Sequence, residues 1–511
     1  MLLTLTKIDF RFKEIPPGLI VDDAEYYYHA QTIAIDFDLD YSNQMKGATN
    51  RNLNIENPDV VVPVHPVGTG VFASPFLFIS NQLTNIKNLD STVSLNYFIY
   101  SLSPIFYLFL SLVLLTEFFR ITKVQYNMKF LLLLISGSGI TYFSFERFSM
   151  SHAYEFFGTA LIFYLIALSE TIVKKSNRNI LLFIIGITIF LIFSIRWSNY
   201  FIFLIPIIYN LMFSKKSSNT RFSIYLFFGL VLGCALYLIH TKILYGMYTL
   251  NPADLFLVVE NRLAPNYERF FELDRLFENI VFIFNCLLKI SFGEEFGIAY
   301  FSPILFAGLI MTINLLIKKR IALAIILTLA AAVPLLGVIV LQHTAFSYGY
   351  RYLFALIPMY IIVYFKFFQN NIFYKYYLLF MSFFGFLGVL FFETSYSSIL
   401  YSDYVTNIFG QTTKYSNPEY LTGVIKSFFI IDSYLNIIFT SFLGVLIIKI
   451  LSMFKNPVDF ISTYREPNED ILNLINNTVN LSWGYIFTLI LFFILLIYYL
   501  SKKDYSKKLI E

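Results

Sequence analysis

The chain has 511 residues, of which 57% are hydrophobic and only 14% charged, with a net charge of +4. Soluble domains carry about 25% charged residues, and here the deficit runs along the whole chain. The basic residues form short clusters between apolar runs, which is the pattern of membrane-protein loops and excludes a nucleic-acid face.

Aromatic residues reach 19%, with 59 Phe and 38 Tyr, as expected of rings gathered at a lipid–water boundary. The two cysteines, Cys234 and Cys286, have no neighbour at metal-ligand spacing.

In chain order, residues 1–92 read as a polar first loop without a signal peptide or a span, because Met1 to Thr6 is too short for either. Uncharged cores follow at about 93–116, 130–145, 156–169, 180–195, 198–214, 222–239, 298–317, 321–342, 352–365, 376–392, 434–448 and 482–500. Most approach the length that crosses ~30 Å of hydrocarbon as a helix. The expected fold is therefore an all-α integral membrane protein with 11–13 transmembrane helices and a large first external loop. Residues 1–92 form that loop, 93–454 the polytopic domain, and 455–511 a polar segment, a last hydrophobic helix and a basic tail. The stretch 278–292 is apolar but short and contains Lys289, so it reads as an interfacial or re-entrant helix.

Lysines and arginines set the orientation. The joints holding Arg120 and Lys123, Lys174 and Lys175, Lys215 and Lys216, Lys318 to Arg320, and Lys366 and Lys375 alternate with basic-poor joints and are expected in the cytoplasm. Residues 1–92, 146–155, 196–197, 240–297, 343–351 and 393–433 then lie outside. This alternation calls for a span upstream of residue 1. It also places Lys502, Lys503, Lys507 and Lys508 outside, against the rule.

The chemistry-bearing residues lie on that external side. Asp22 and Asp23 open the run DDAEYYYHAQ. Adjacent carboxylates can bind a divalent cation or act as a general base, and Asp22 can equally cap a helix beginning near Ala24. Asp38 and Asp40 form a D-x-D that reads as a metal or acceptor site, or as a solvated turn. His65 and Pro66 precede Gly68 and Gly70, which suggests a rigid turn held close to something else, with His65 able to donate to a phosphate or carboxylate. Arg351 stands where a span meets the external face, and Arg196 is similar. Their planar forks suit phosphate oxygens, and the alternative is snorkelling to headgroups. Glu146, Arg147, His152 and Glu155 crowd one short loop, as a metal or acceptor site or as a solvated turn.

Asp22-Asp23 followed by Tyr26, then His65-Pro66, then many spans, resembles the GT-C superfamily of membrane glycosyltransferases. The likeness is greatest to its protein O-mannosyltransferase and aminoarabinose-transferase branch. Val67 stands where that branch has a second proline. The runs Ser347–Tyr352 and FSPILFAGL around Pro303 are also similar to later segments of bacterial members. The resemblance implies transfer of a sugar from a polyprenyl-phosphate donor, entering from the bilayer, to a glycan, lipid or protein acceptor. The reaction would occur on the external face of the plasma membrane. Asp22 and Asp23 would deprotonate or position the acceptor hydroxyl, while His65, Arg351 and Arg196 would hold the donor phosphate. A divalent ion, Mg or Mn, is compatible with this scheme but not required by it. The chain carries no glycine-rich nucleotide loop. The rival readings are a transporter, a lipid or polysaccharide flippase, a polymerase, and a non-catalytic scaffold.

Overall fold

The computed structural model describes residues 2–7, 21–45, 54–57, 59–63, 65–87, 92–145, 147–213, 224–250, 276–293, 297–340, 350–391, 404–406, 412–414, 429, 442–462 and 469–484, together with parts of 486–498. The chain divides into two compact units: Pro17–Val389, and Met1–Pro16 with Leu390–Glu511.

In the first unit, α2 (Val21–Gln31) follows the short α1 (Leu2–Lys7) of the second. Then come α3 (Gly68–Lys87), α4 (Thr92–Thr122), α5 (Met128–Ser136), α6 (Gly139–Phe145), α7 (His152–Thr171), α8 (Lys175–Phe193), α9 (Ile205–Phe213) and α10 (Ile224–Tyr245). The unit ends with α11 (Leu276–Phe292), α12 (Ile298–Phe301), α13 (Pro303–Ile317), α14 (Ile321–Val340), α15 (Ile357–Val363) and α16 (Ile372–Phe391). Among the described residues, six helical segments are long and apolar enough to cross a bilayer, and a seventh span results if α5 and α6, bent by 71°, count as one. Shorter apolar helices among the described residues of this unit, Tyr200–Phe213, Pro303–Ile317 and Ile321–Leu335, add to these. The chain is thus a predominantly helical multi-pass membrane protein. Most expected cores coincide with a helix, although that at 482–500 is described only in part.

Three features depart from the sequence pattern. First, α3 occupies part of the expected loop; its apolar run gives way to Ser80, Asn81 and Gln82, so it never reaches span length. It runs antiparallel to α4, with Phe76 against Phe106 and Phe72 against Tyr107, and Ser80 hydrogen-bonded to Asn96. Second, the span expected at 130–145 breaks at Gly137, because a Cβ there would lie 2.0 Å from the Ser382 carbonyl oxygen of α16. Only glycine allows that approach, and the bend sends α6 through the interior with all seven residues buried. Third, α8 and α10 cross closely through Gly186, Gly229 and Gly233, the small-residue packing that brings helix backbones together in lipid. The other face of α10, including Phe227, Val231 and Ile239, is exposed.

The basic turns gather at one end of this unit. Lys318 Nζ donates to the Phe367 carbonyl at 3.1 Å, and Arg320 lies over the Phe367 ring. Lys366 lies over Phe213, while Phe119, at the end of α4 beside Arg120, meets Phe365. Lys215 and Lys216 lie outside the described residues.

In the second unit, α1 packs on α17 (Phe442–Leu451), and α18 (Pro457–Ser462) and α19 (Glu469–Asn480) follow. Lys449 Nζ donates to the Val479 and Leu481 carbonyls at 2.5 and 2.6 Å, satisfying acceptors at the end of α19. A small antiparallel pair, Tyr404–Thr406 with Thr412–Lys414, is the β structure among the described residues. Lys502, Lys503, Lys507 and Lys508 lie outside them.

With both native cysteines replaced, Asp40→Cys should react with a membrane-impermeant maleimide in intact cells, and Asn177→Cys only after lysis. The reverse pattern overturns the orientation.

Candidate functional site

Two groups of ionisable side chains gather at the end of the first unit opposite the basic turns. The first is built by α2 and the turn before α3. Tyr27 packs edge-on to Tyr97 and Tyr100 of α4. At Gly70 on α3, a Cβ would lie 2.3 Å from His29 Cβ. This close seating brings Glu25 to His65. Glu25 Oε2 accepts from His65 Nδ1 at 2.6 Å and from the His65 main-chain N–H at 2.9 Å. Tyr26 meets the imidazole edge-on, with ring centroids 5.4 Å apart. A carbonyl only accepts, so His29 Nε2–H donates to His65 O at 2.8 Å, and Nδ1 accepts from Tyr41 Oη at 2.7 Å. Burial pushes the His29 imidazole down from 6.5 to about 4, against the opposing effect of the hydrogen bond to His65.

The second group centres on Glu155, fully buried in the first turn of α7. Ser151 Oγ donates to its Oε1 at 2.5 Å. His152 Nδ1 lies 3.3 Å and Arg196 Nη1 3.5 Å from the same oxygen. The Arg196 guanidinium lies 4.4 Å from the centroid of the Tyr352 ring, and that of Arg351 lies 5.2 Å from the same centroid. Arg351 also donates to Tyr352 Oη at 3.4 Å and reaches Met150 Sδ. Arg147, three residues before Met150, is buried. Two guanidinium groups thus share the Tyr352 ring at the helix ends.

The two groups are tied together. Gly68 N–H donates to Ser194 O at 3.0 Å, and a Cβ on Gly68 would lie 2.5 Å from Ile195 N. The turn carrying His65 is therefore docked on the end of α8, two residues before Arg196.

Asp22 and Asp23 lie in the first turn of α2, which starts at Val21. Asp22 is thus inside the helix, not the cap of a helix starting near Ala24. Their side chains lie outside the described residues, as does Glu146. Asp38 and Asp40 stand on an exposed turn, where Asp38 Oδ1 accepts from Asp40 N at 3.1 Å and Asp40 Oδ1 from Ser42 N at 2.9 Å. The hydrogen bond from Ser42 holds the Asp40 carboxyl below its ordinary range. Both aspartates are thus engaged in local turn bonds. Among the described residues, no three His, Cys, Asp or Glu side chains converge as a metal site.

Sequence reasoning missed Glu25, His29 and Tyr41. The signal for Glu25 and His29 was their spacing, i and i+4 on one helix, flanking Tyr26.

Comparison of the chain with protein-family models, with curated proteins and with solved structures gives no match.

His29 makes a pH prediction. Below pH 6.5 the unfolded imidazole takes up a proton that the folded one refuses until about pH 4. This contribution to stability is therefore full above pH 6.5 and lost on acidification, by at most about 1.4 kcal/mol per pH unit. The thermal stability advantage of wild type over His29→Gln should shrink between pH 7.5 and 5. A pH-independent difference would show that His29 does not titrate in this way.

Proposed function

We propose that the chain is a membrane glycosyltransferase that moves a sugar from a polyprenyl-phosphate donor to an acceptor on the external face of the plasma membrane. The observation that supports this reading most strongly is the convergence of Arg196 and Arg351 on the Tyr352 ring at the end of the bundle away from the basic turns.

A polyprenyl phosphate keeps its tail in hydrocarbon and its anionic head at the boundary. Guanidinium groups there offer paired donors to phosphate oxygens, and a partly dry setting strengthens the contact. Glu155 and His152 hold Arg196 in place. As the bond between sugar and phosphate breaks, negative charge grows on the leaving phosphate, so the arginines bind the transition state more tightly than the ground state. The acidic pair Asp22-Asp23, on the helix that also carries Glu25, orients the acceptor hydroxyl. Positive charge at the phosphate comes from the arginines, and no step of the reading runs through a metal ion.

The donor sugar does not enter the first test. Purified protein should bind undecaprenyl phosphate more tightly than undecaprenol. Arg351→Ala should weaken that binding about tenfold or more, with Arg351→Lys between the two, since lysine restores the charge but not the fork. Release of undecaprenyl phosphate from a panel of sugar-linked lipids then measures turnover, which Asp22→Asn should lower without changing undecaprenyl phosphate affinity. Equal affinity for the phosphate and the alcohol, or unchanged binding in Arg351→Lys and Arg351→Ala, overturns the reading.

A further inference from the structure

We propose that His65 is the general base of the transfer reaction and that Glu25 is the residue that positions it. This rests on the glycosyltransferase reading above and assigns the proton transfer within it.

His65 is held from every side. Glu25 Oε2 takes both its main-chain N–H and its ring Nδ1–H, while His29 donates to its carbonyl. Pro66 follows and restricts the backbone, and Gly68 docks the turn on Ser194. The Glu25 side chain is 5% exposed, whereas that of His65 retains 16%. A carboxylate only accepts hydrogen bonds, so it fixes the proton of the neutral imidazole on Nδ1 and leaves the lone pair on Nε2. It also stabilises the imidazolium that forms when Nε2 takes a proton, as the buried carboxylate of a catalytic triad does.

The step balances without a further reactant. The acceptor O–H gives its proton to His65 Nε2 as its oxygen forms a bond to the anomeric carbon. The bond between that carbon and the phosphate oxygen breaks, and its electron pair leaves with the polyprenyl phosphate, against Arg196 and Arg351. The proton then passes from the imidazolium to solvent or to the departing phosphate. The docking of the His65 turn two residues before Arg196 places base and phosphate site at the same helix ends.

The test follows the His65 imidazole by nitrogen NMR in full-length protein labelled with 15N-histidine in lipid nanodiscs, with the resonance assigned by His65→Gln. The neutral ring should be the Nδ1–H tautomer. Glu25→Gln should lower its titration midpoint by about one pH unit or more, and undecaprenyl phosphate should raise the wild-type midpoint through the nearby anion. In transfer, His65→Ala should lose about 10²–10⁴-fold in kcat with little change in undecaprenyl phosphate affinity, and added imidazole should restore part of it. An Nε2–H tautomer, a midpoint unmoved in Glu25→Gln, or bound undecaprenyl phosphate that leaves His65 unmoved overturns this proposal alone. Failure of wild type to bind undecaprenyl phosphate overturns the glycosyltransferase reading, and this assignment with it.

Discussion

A carboxylate inside a membrane bundle must be matched by donors, and Glu155 is fully buried in the first turn of α7. Its Oε1 accepts from Ser151 in its own turn and pairs with Arg196 from the segment after α8, whose guanidinium also donates to His152 Nδ1. This requirement fixes where the end of α8 sits. Arg196, once drawn to Glu155, presents its guanidinium to the Tyr352 ring, and Arg351 lies against that ring too. Three separate stretches of chain are thereby held together by one buried charge. Removing the carboxylate would take a buried counter-charge from Arg196, and breaking such a pair costs more than the pair itself contributes.

The same logic shows how far the sequence could be read. Long apolar runs announced the helices, because a span must satisfy its backbone internally whatever surrounds it. Arg196 and Arg351 stood out because ionisable residues at the ends of apolar runs are costly and so draw attention, and His152 and Glu155 because they crowd a short stretch with Glu146 and Arg147. Their gathering was not legible, since Glu155 and Arg196 are 41 positions apart and Arg351 lies further still. Glu25 was hidden for a different reason: it follows an adjacent aspartate pair, which draws the eye, and its partner His65 is 40 positions away. The break between α5 and α6 did carry a local signal in Gly137-Ser138-Gly139. An uncharged run across it reads as one continuous helix unless the close approach of Ser382 is known.

The placement of charge along the bundle separates two uses of basic side chains. At one end, Lys318, Arg320 and Lys366 lie over aromatic rings at exposed turns, where a cation keeps much of its hydration and contributes little to stability beyond setting orientation. At the other end, Arg196 is paired with a fully buried carboxylate and stacked on a ring, so its position is determined to within the length of a hydrogen bond. Only a cation fixed in this way can favour one charge distribution over another during a reaction, because a mobile one would reorganise at a cost. His65 is fixed to the same degree by Glu25 and His29. The turn between them has no slack: a methyl group at Gly68 would meet the backbone at Ile195 and at Gly70 the His29 side chain. Alanine at either position would have to push the His65 turn away from the end of α8. The His65 turn is therefore held to the end of α8, two residues before Arg196, by backbone contact rather than by flexible side chains, which is the kind of support that a site needs if its groups are to act together.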